Sequence, residues 1–309
     1  MKSIIQFLHP GKEHSINSGE IWNVSSHKRK YLKLKGSYVF DLSLMPIDDT
    51  VCFWGEWEAQ SKGQAIPDNM APLPINIFEP YYSLPVPING CNTDPFFIGD
   101  QFYYCICKQG HYPSLRSLDS GALILFGSHR AGNFLIDSVF VVKDSIEYEV
   151  QNIESIKLNY NEVFYNVSLS PLNISSTAEP KEFFDNKHKS CGSILISSDA
   201  VVDNTQTCLK QNNSKCRIYQ AVMYNDRKNF DGMFSFAPCL PYNLGKNGFA
   251  RPIINSCNIS QTLKQGIKIL SNQLAKDVWS NIVQQIFSNK LNLMIKTDLP
   301  SNCTYTKIV

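Results

Sequence analysis

Charge is scarce in this chain. Of its 309 residues only 18% are Asp, Glu, Lys or Arg, and 29 basic side chains nearly balance 27 acidic ones. A net charge of +2 gives no general pull toward a polyanion. That excludes a histone-like or tail-driven nucleic-acid binder and leaves phosphate contact to a local patch. No uninterrupted apolar run approaches the roughly 18 residues of a membrane helix. The opening run Ile4-Ile5-Gln6-Phe7-Leu8 stops at His9-Pro10, too short for a secretory hydrophobic region and without a small-residue cleavage site. The expectation is a cytoplasmic protein that does not enter the membrane. Phosphate-cradling glycine motifs are missing, and so are the Gly-x-Ser-x-Gly elbow, the His-Glu-x-x-His helix and the zinc-deaminase signature. No serine or cysteine is therefore singled out as a nucleophile by its local sequence.

What is present suits a globular chain. Hydrophobic residues reach 43%, near the usual share, and the length favours two domains over one. A composition shift after residue 151 places the division there: a strand-rich domain over 1–151 and a second α+β region over 152–309. Ten cysteines are compatible with disulfides, but a cytoplasmic chain of this size does not need them, so most read as buried thiols. Cys105-x-Cys107 with Cys91 and His111 lacks the spacing of ordinary zinc modules and has no second pair, which again favours structural thiols.

β-branched and aromatic runs predict strands over residues 3–8, 38–40, 51–54, 101–107, 122–126 and 134–142, with later ones near 193–197, 216–223, 233–236 and 249–254. The short link between 122–126 and 134–142 requires an antiparallel pair, since a parallel crossover needs about a dozen residues or more. Seven prolines between 67 and 95 argue for a long ordered loop. Residues 261–293 contain no proline. There Leu274, Val278, Ile282, Val283 and Ile286 recur at helical spacing, which predicts two helices broken near Ser271 and packed on a sheet.

Four local patterns carry chemistry. In the first, the polar turn Leu118-Asp119-Ser120-Gly121 feeds an apolar strand, Gly127-Ser128-His129 follows, and a second apolar strand returns. The segment, about residues 100–145, resembles the strand pair around the pocket of small PUA- and EVE-like β-barrels, a superfamily that reads bases or modified nucleotides. The resemblance implies a PUA-like barrel portion, with Ser128, His129 and Arg130 at a loop mouth and Asp137 nearby. It also offers Tyr103, Phe126 and Trp54 as surfaces for base stacking. The plainer alternative is a tight hairpin whose His129 and Arg130 are solvated.

In the second pattern, Phe53-Trp54-Gly55-Glu56-Trp57-Glu58, the two glutamates are two apart and share one face of an extended strand. With Asp49, Asp48 or Asp41 upstream they could hold a hard cation such as Mg²⁺. On that face Trp54 is the better aromatic platform and Trp57 the weaker. The bland alternative is a strand end with solvated glutamates. The third is the cationic run His27-Lys28-Arg29-Lys30, followed by Lys33 and Lys35, where Arg29 is best suited to bidentate phosphate contact. In the fourth, Asp231 and Arg251 flank aromatic, turn-rich pieces and could pair, structurally or around a ligand. Of six histidines, His9 and His14 bracket an early loop and are plausible site residues.

Together these features predict a mostly antiparallel α+β protein with C-terminal helices. Its first functional reading is a nucleic-acid or modified-nucleotide binding module using Lys28, Arg29, Trp54, Trp57, Tyr103, Ser128, His129, Arg130 and Asp137. The second is a Mg²⁺-dependent nuclease or phosphohydrolase using Glu56, Glu58 and Asp49. The third is a structural or protein-interaction module.

Overall fold

The computed structural model describes residues 2–9, 11–16, 22–23, 27–67, 73–87, 90–110, 112–172, 215–255, 259, 266–270 and 272–302. Twelve strands form two six-stranded sheets among them. The first sheet has the order β11 (Gly266–Leu270), β1 (Lys2–Leu8), β7 (Leu123–Arg130), β8 (Asn133–Glu149), β9 (Lys215–Ala221) and β6 (Tyr103–Tyr104). The second runs β12 (Asn292–Thr297), β10 (Ala237–Pro241), β3 (Ile47–Glu56), β2 (Arg29–Val39), β5 (Asn76–Pro80) and β4 (Ser61–Ala65). Because β12 also pairs with β2, the strands β2, β3, β10 and β12 close into a four-stranded antiparallel barrel. Closure depends on Gly36, where a Cβ would collide with the Lys296 carbonyl oxygen at the irregular step of β12.

The antiparallel pair expected from the apolar runs is β7–β8. Ala131 (φ 49°) and Gly132 (φ 82°) supply the two left-handed residues of a tight hairpin turn. The turn is shorter than residues 127–133 suggested, so Ser128, His129 and Arg130 belong to β7 itself. Between Phe126↔Ser138 and Gly127↔Ile136 the register shifts, leaving Asp137 as the extra residue of a β-bulge. A bulge re-aims the side chain it carries.

Several expectations need correction. The two short strands over 38–40 and 51–54 belong to one long hairpin, β2–β3, paired from Arg29↔Glu56 to Tyr38↔Ile47; the lysines of β2 hid its strand character from an apolar count. The strand expected over 101–107 shrinks to two residues. Asp94 accepts the backbone N–H groups of Cys105 (2.8 Å), Ile106 (2.8 Å) and Cys107 (2.5 Å) and bends the chain away from the sheet. The proline-rich segment is not wholly loop, since β5 lies within it. Residues 233–236 precede β10, and 249–254 is irregular apart from a bridge between Leu135 and Ile253. The strand predicted over 193–197 lies outside the described residues.

One long helix, Asn272–Ser288, replaces the predicted pair. Before it, β11 pairs antiparallel with β1. After it, Lys290 adopts a left-handed conformation (φ 58°) that ends the helix and turns the chain into β12. The helix buries Ala275, Val278, Trp279, Ile282, Val283 and Ile286, and the Trp279 indole donates to Phe234 O (2.9 Å). Its apolar face packs on the sheet, as the periodicity predicted.

The segment resembling PUA-like barrels contributes β6, β7 and β8 to the first sheet, whereas the closed barrel belongs to the second. Six cysteines among the described residues are free thiols, five of them buried. No helix among the described residues is long and apolar enough to cross a membrane.

Candidate functional site: a buried imidazole–carboxylate–guanidinium cluster

The site forms where both sheets end. Arg29 opens β2 and Glu56 closes β3, directly opposite each other in register. Glu58 follows on the same side of the extended chain, its N–H held by Thr93 Oγ1 (3.0 Å). Between them Trp57 turns inward and donates to Gln60 O (2.7 Å). His27 stands two residues before Arg29. His9 follows β1, anchored by its N–H on Gly127 O (2.8 Å). The bulge delivers Asp137, and the irregular piece after Phe249 delivers Arg251. None of these seven side chains has more than 8% of its surface exposed.

Glu56 is the hub. Its Oε2 lies 2.6 Å from His9 Nδ1 and 2.6 Å from Arg29 Nη1, while Oε1 faces His27 Nδ1 at 2.9 Å. Arg29 Nε reaches Asp137 Oδ2 (2.8 Å), and Arg251 Nη1 reaches Asp137 Oδ1 (3.2 Å). Arg251 Nη2 donates to Gly11 O (3.0 Å), and the guanidinium lies 5.4 Å from the Trp54 ring centre. Glu58 Oε1 approaches His27 Nδ1 at 3.2 Å.

Unmet valence is concentrated at one point. Both nitrogens of His27, Oε1 of Glu56 and both carboxylate oxygens of Glu58 are buried without a hydrogen-bond partner, and Arg29 Nη2 is a further unmet donor. His27 Nδ1 still stands within ion-pair distance of both glutamates, at 2.9 and 3.2 Å. Leaving one such buried group unsatisfied costs about 1–3 kcal/mol, more for a charge. Such a concentration of buried polar atoms is where a bound ion or water would complete the network. His27, Glu56 and Glu58 each present one ligand atom, all within 4.8 Å of one another.

The electrostatics are mutual. Burial opposes ionisation of Glu56, but His9, His27 and Arg29 outweigh it and hold the carboxyl well below its ordinary range. Burial likewise opposes charge on His27, yet Glu58 and Glu56 raise its pKa well above 6.5. For His9 burial wins over Glu56, and its pKa falls to about 4. The His9 ring is therefore neutral near pH 7, with Nδ1–H turned to the carboxylate.

The structure brings together some of the residues nominated from sequence and leaves others apart. Glu56, Glu58, Arg29 and Asp137 meet, and Trp54 joins them through Arg251 while donating its indole N–H to Phe249 O (2.8 Å). Ser128 is buried near Gly11, its hydroxyl without a partner. Asp49 is exposed, seven residues from Glu56 along β3, about 23 Å at a strand's rise, so it lies outside the cluster, and His27 rather than an aspartate stands beside the two glutamates. Trp57 is wholly buried. Tyr103 is stacked on Phe164, ring centres 4.2 Å apart. Arg130 is exposed and His129 partly so.

The cationic run does not present one continuous face. Arg29 points into the cluster and Lys30 is buried on Ala59 O (2.9 Å), whereas Lys28 and Lys33 are half-buried and Lys35 is exposed. Arg251 pairs with Asp137 and not with Asp231, which is exposed in a left-handed turn. Sequence reading missed the roles of His27 and Thr93 and gave Arg251 the wrong aspartate. The signal available for His27 was a histidine immediately before a strand that pairs with Glu56.

No family model, curated protein or solved structure matches this chain. Fold and site define its class directly: an α+β protein with a closed antiparallel barrel, carrying a buried His/Glu/Glu cluster arranged as a ligand- or metal-binding site.

Proposed function

We propose that the protein is a divalent-metal-dependent hydrolase of phosphate esters, nucleic acids or nucleotides among them, with His27, Glu56 and Glu58 as its metal ligands. The observation that carries this reading is the convergence of unsatisfied ligand atoms from those three buried side chains. The two spacings from His27 Nδ1 fit a coordination shell, and all three ligand atoms lie within 4.8 Å of one another. Ligands about 2.1 Å from an ion stand roughly 3.0 Å apart at octahedral edges and about 3.4 Å apart at tetrahedral ones, against 2.9 and 3.2 Å here. One imidazole with two carboxylates suits Mn²⁺ or Zn²⁺ better than Mg²⁺, which prefers oxygen ligands and retained water.

When bound, such an ion polarises a phosphoryl oxygen and lowers the pKa of a coordinated water. The chain's own residues set the stage. His9 and Arg29 hold Glu56 Oε2, which leaves Oε1 for the ion, and Thr93 fixes the backbone of Glu58. Tethering of a ligand's outer oxygen is the usual outer-shell device of metal sites. Arg29 Nη2, buried with no partner, is the donor available to a phosphoryl oxygen.

The test is hydrolysis of labelled single- and double-stranded DNA and RNA, and of bis(p-nitrophenyl) phosphate. Chelator-treated protein is resupplied with Mn²⁺, Zn²⁺ or Mg²⁺. Turnover restored by Mn²⁺ or Zn²⁺ and abolished in Glu58→Gln is the expected result. Metal-independent binding of nucleic acid without cleavage would return the chain to the binding-module reading.

A further inference from the structure

The hairpin β2–β3 ends in an apolar tip. Of the thirteen exposed large hydrophobic side chains among the described residues, Phe40, Leu42, Leu44, Met45 and Ile47 all lie on this one turn, and Met45 leaves 83% of its surface open. Single apolar residues scattered over a surface are ordinary, whereas a contiguous group marks a contact site. The tip is also held in one shape. Asp41 Oδ1 accepts the N–H (2.8 Å) and the hydroxyl (2.7 Å) of Ser43, Leu44 N–H donates to Asp41 O (3.2 Å), and the Tyr224 hydroxyl donates to Leu44 O (3.4 Å). A surface fixed in advance gives up little conformational freedom on binding.

At the base of the tip the chemistry changes. The pair Ser37↔Asp48 lines an open groove of about 730 Å³, and the next pair, Tyr38↔Ile47, begins the tip. Asp48, Asp49, Asp100 and Asp298 line that groove with Lys35 and Lys296, four carboxylates against two ammonium groups. Leu299, a sixth exposed apolar side chain, lines it too. The walls are tied together: Asp298 N–H donates to Lys35 O (2.7 Å), and Gly99 N–H donates to Thr297 Oγ1 (2.9 Å). Residues 36–61 contain neither lysine nor arginine, so the tip carries negative charge alone. Asp49 stands seven residues from Glu56 along β3, and this surface is therefore separate from the metal cluster.

We propose that the apolar tip and the acidic groove together dock a partner protein, through a short extended segment in which apolar residues are followed by lysine or arginine. Charge selects this occupant. A second copy of the chain meeting tip to tip would repeat one patch on both sides and set Asp41, Asp48 and Asp49 against themselves. An anionic lipid surface repels the same aspartates, and apolar segments that seek membranes are flanked by basic residues instead. A cationic segment meets neither penalty. Its apolar side chains cover Phe40, Leu42, Leu44 and Met45, and its cations meet the aspartates of the groove. From Asp49 to Met45 is about 13 Å at a strand's rise, so a segment of about eight residues reaches across both parts.

The experiment uses the full chain and a fluorescein-labelled octapeptide of four leucines followed by four lysines, read by anisotropy at low salt. Two control peptides replace the lysines with glutamates or the leucines with serines. The natural chain should bind the leucine–lysine peptide at least about 10-fold more tightly than either control, a readout that needs no variant. The double variant Leu42→Ser, Met45→Ser should weaken binding about 10-fold. Asp49→Asn should weaken it about 3-fold at low salt and flatten its salt dependence. These side chains are exposed, so circular dichroism of both variants should match that of the natural chain. Equal affinity for the glutamate peptide, or unchanged binding in the double variant, would overturn the proposal. So would self-association in sedimentation, or flotation with phosphatidylserine vesicles, that the double variant abolishes, since either would give the tip to a different occupant.

Discussion

Strand β3 carries carboxylates at both ends, and the two ends meet opposite fates. At its start Asp48 and Asp49 are exposed in an open groove shared with Lys35, Asp100, Lys296 and Asp298. Asp48 takes the Ser37 hydroxyl and Asp49 the N–H of Thr50; water serves the rest. At its end Glu56 is sealed between two histidines and an arginine. Exposed charges of the first kind contribute little to stability, because water and salt screen them. Buried charges of the second kind carry a desolvation cost that only good partners offset. A fold that keeps Glu56, Glu58 and Asp137 inside, with Glu58 facing only His27, is consistent with a site at that end.

That contrast can be broken by substitution, and the effects rank in order. Glu58→Gln should have the largest functional effect, removing a ligand and leaving no stoichiometric Mn²⁺ or Zn²⁺ by elemental analysis after dialysis, whereas Asp49→Ala should bind metal like the natural chain. Arg29→Met should have the largest effect on stability. It leaves Glu56 and Asp137 without their shared partner and should cost about 3–5 kcal/mol in denaturant unfolding. His9→Asn leaves Glu56 Oε2 to Arg29 alone without removing a ligand, so metal affinity by calorimetry should fall about 10- to 100-fold. Asp49→Ala should leave the unfolding midpoint unchanged within error; a loss matching that of Arg29→Met would mean that the two ends of β3 are not different in kind.

A pH series sharpens the comparison within the buried region. His9, lowered to about 4, binds fewer protons folded than unfolded, so its contribution falls as pH drops from about 6.5 toward 4. Asp94 is raised to about 6 because burial outweighs its three N–H donors, and it binds more protons folded than unfolded. Its contribution therefore increases as pH drops from 6 toward its ordinary value of 3.8. Between pH 4.5 and 6 the two oppose each other, at up to about 1.4 kcal/mol per pH unit each. His14, also lowered to about 4 by burial, acts in the same direction as His9, so denaturant midpoints should fall on acidification through that window more steeply in Asp94→Asn than in the natural chain, and less steeply in His9→Asn.

Sequence legibility divided along the same line. Local, apolar elements could be read: β1, the β7–β8 hairpin and the amphipathic helix declare themselves through β-branched runs, a tight turn and 3.6-residue spacing. The glutamate pair was legible too, because period-two alternation puts Glu56 and Glu58 on one side of an extended chain. The closed barrel was not. It depends on Gly36 admitting β12 from more than 250 residues downstream, and no local pattern encodes that pairing. Nor was the inward turn of Arg29 and Lys30, whose run reads as suited to phosphate contact until Glu56, Asp137 and the Ala59 carbonyl stand beside it. Asp94 shows the converse: its carboxylate captures three N–H groups that the local sequence would have given to a strand.

The central claim is that the buried end of β3 holds a metal ion and the exposed end does not. Crystals grown with Mn²⁺ or Zn²⁺ and measured at the metal's absorption edge test it most directly. One anomalous peak is expected about 2.0–2.3 Å from His27 Nδ1, Glu56 Oε1 and a Glu58 oxygen, and none in the groove at Asp48 and Asp49. An empty cluster at full metal concentration, with His27 hydrogen-bonded to both glutamates, would contradict it.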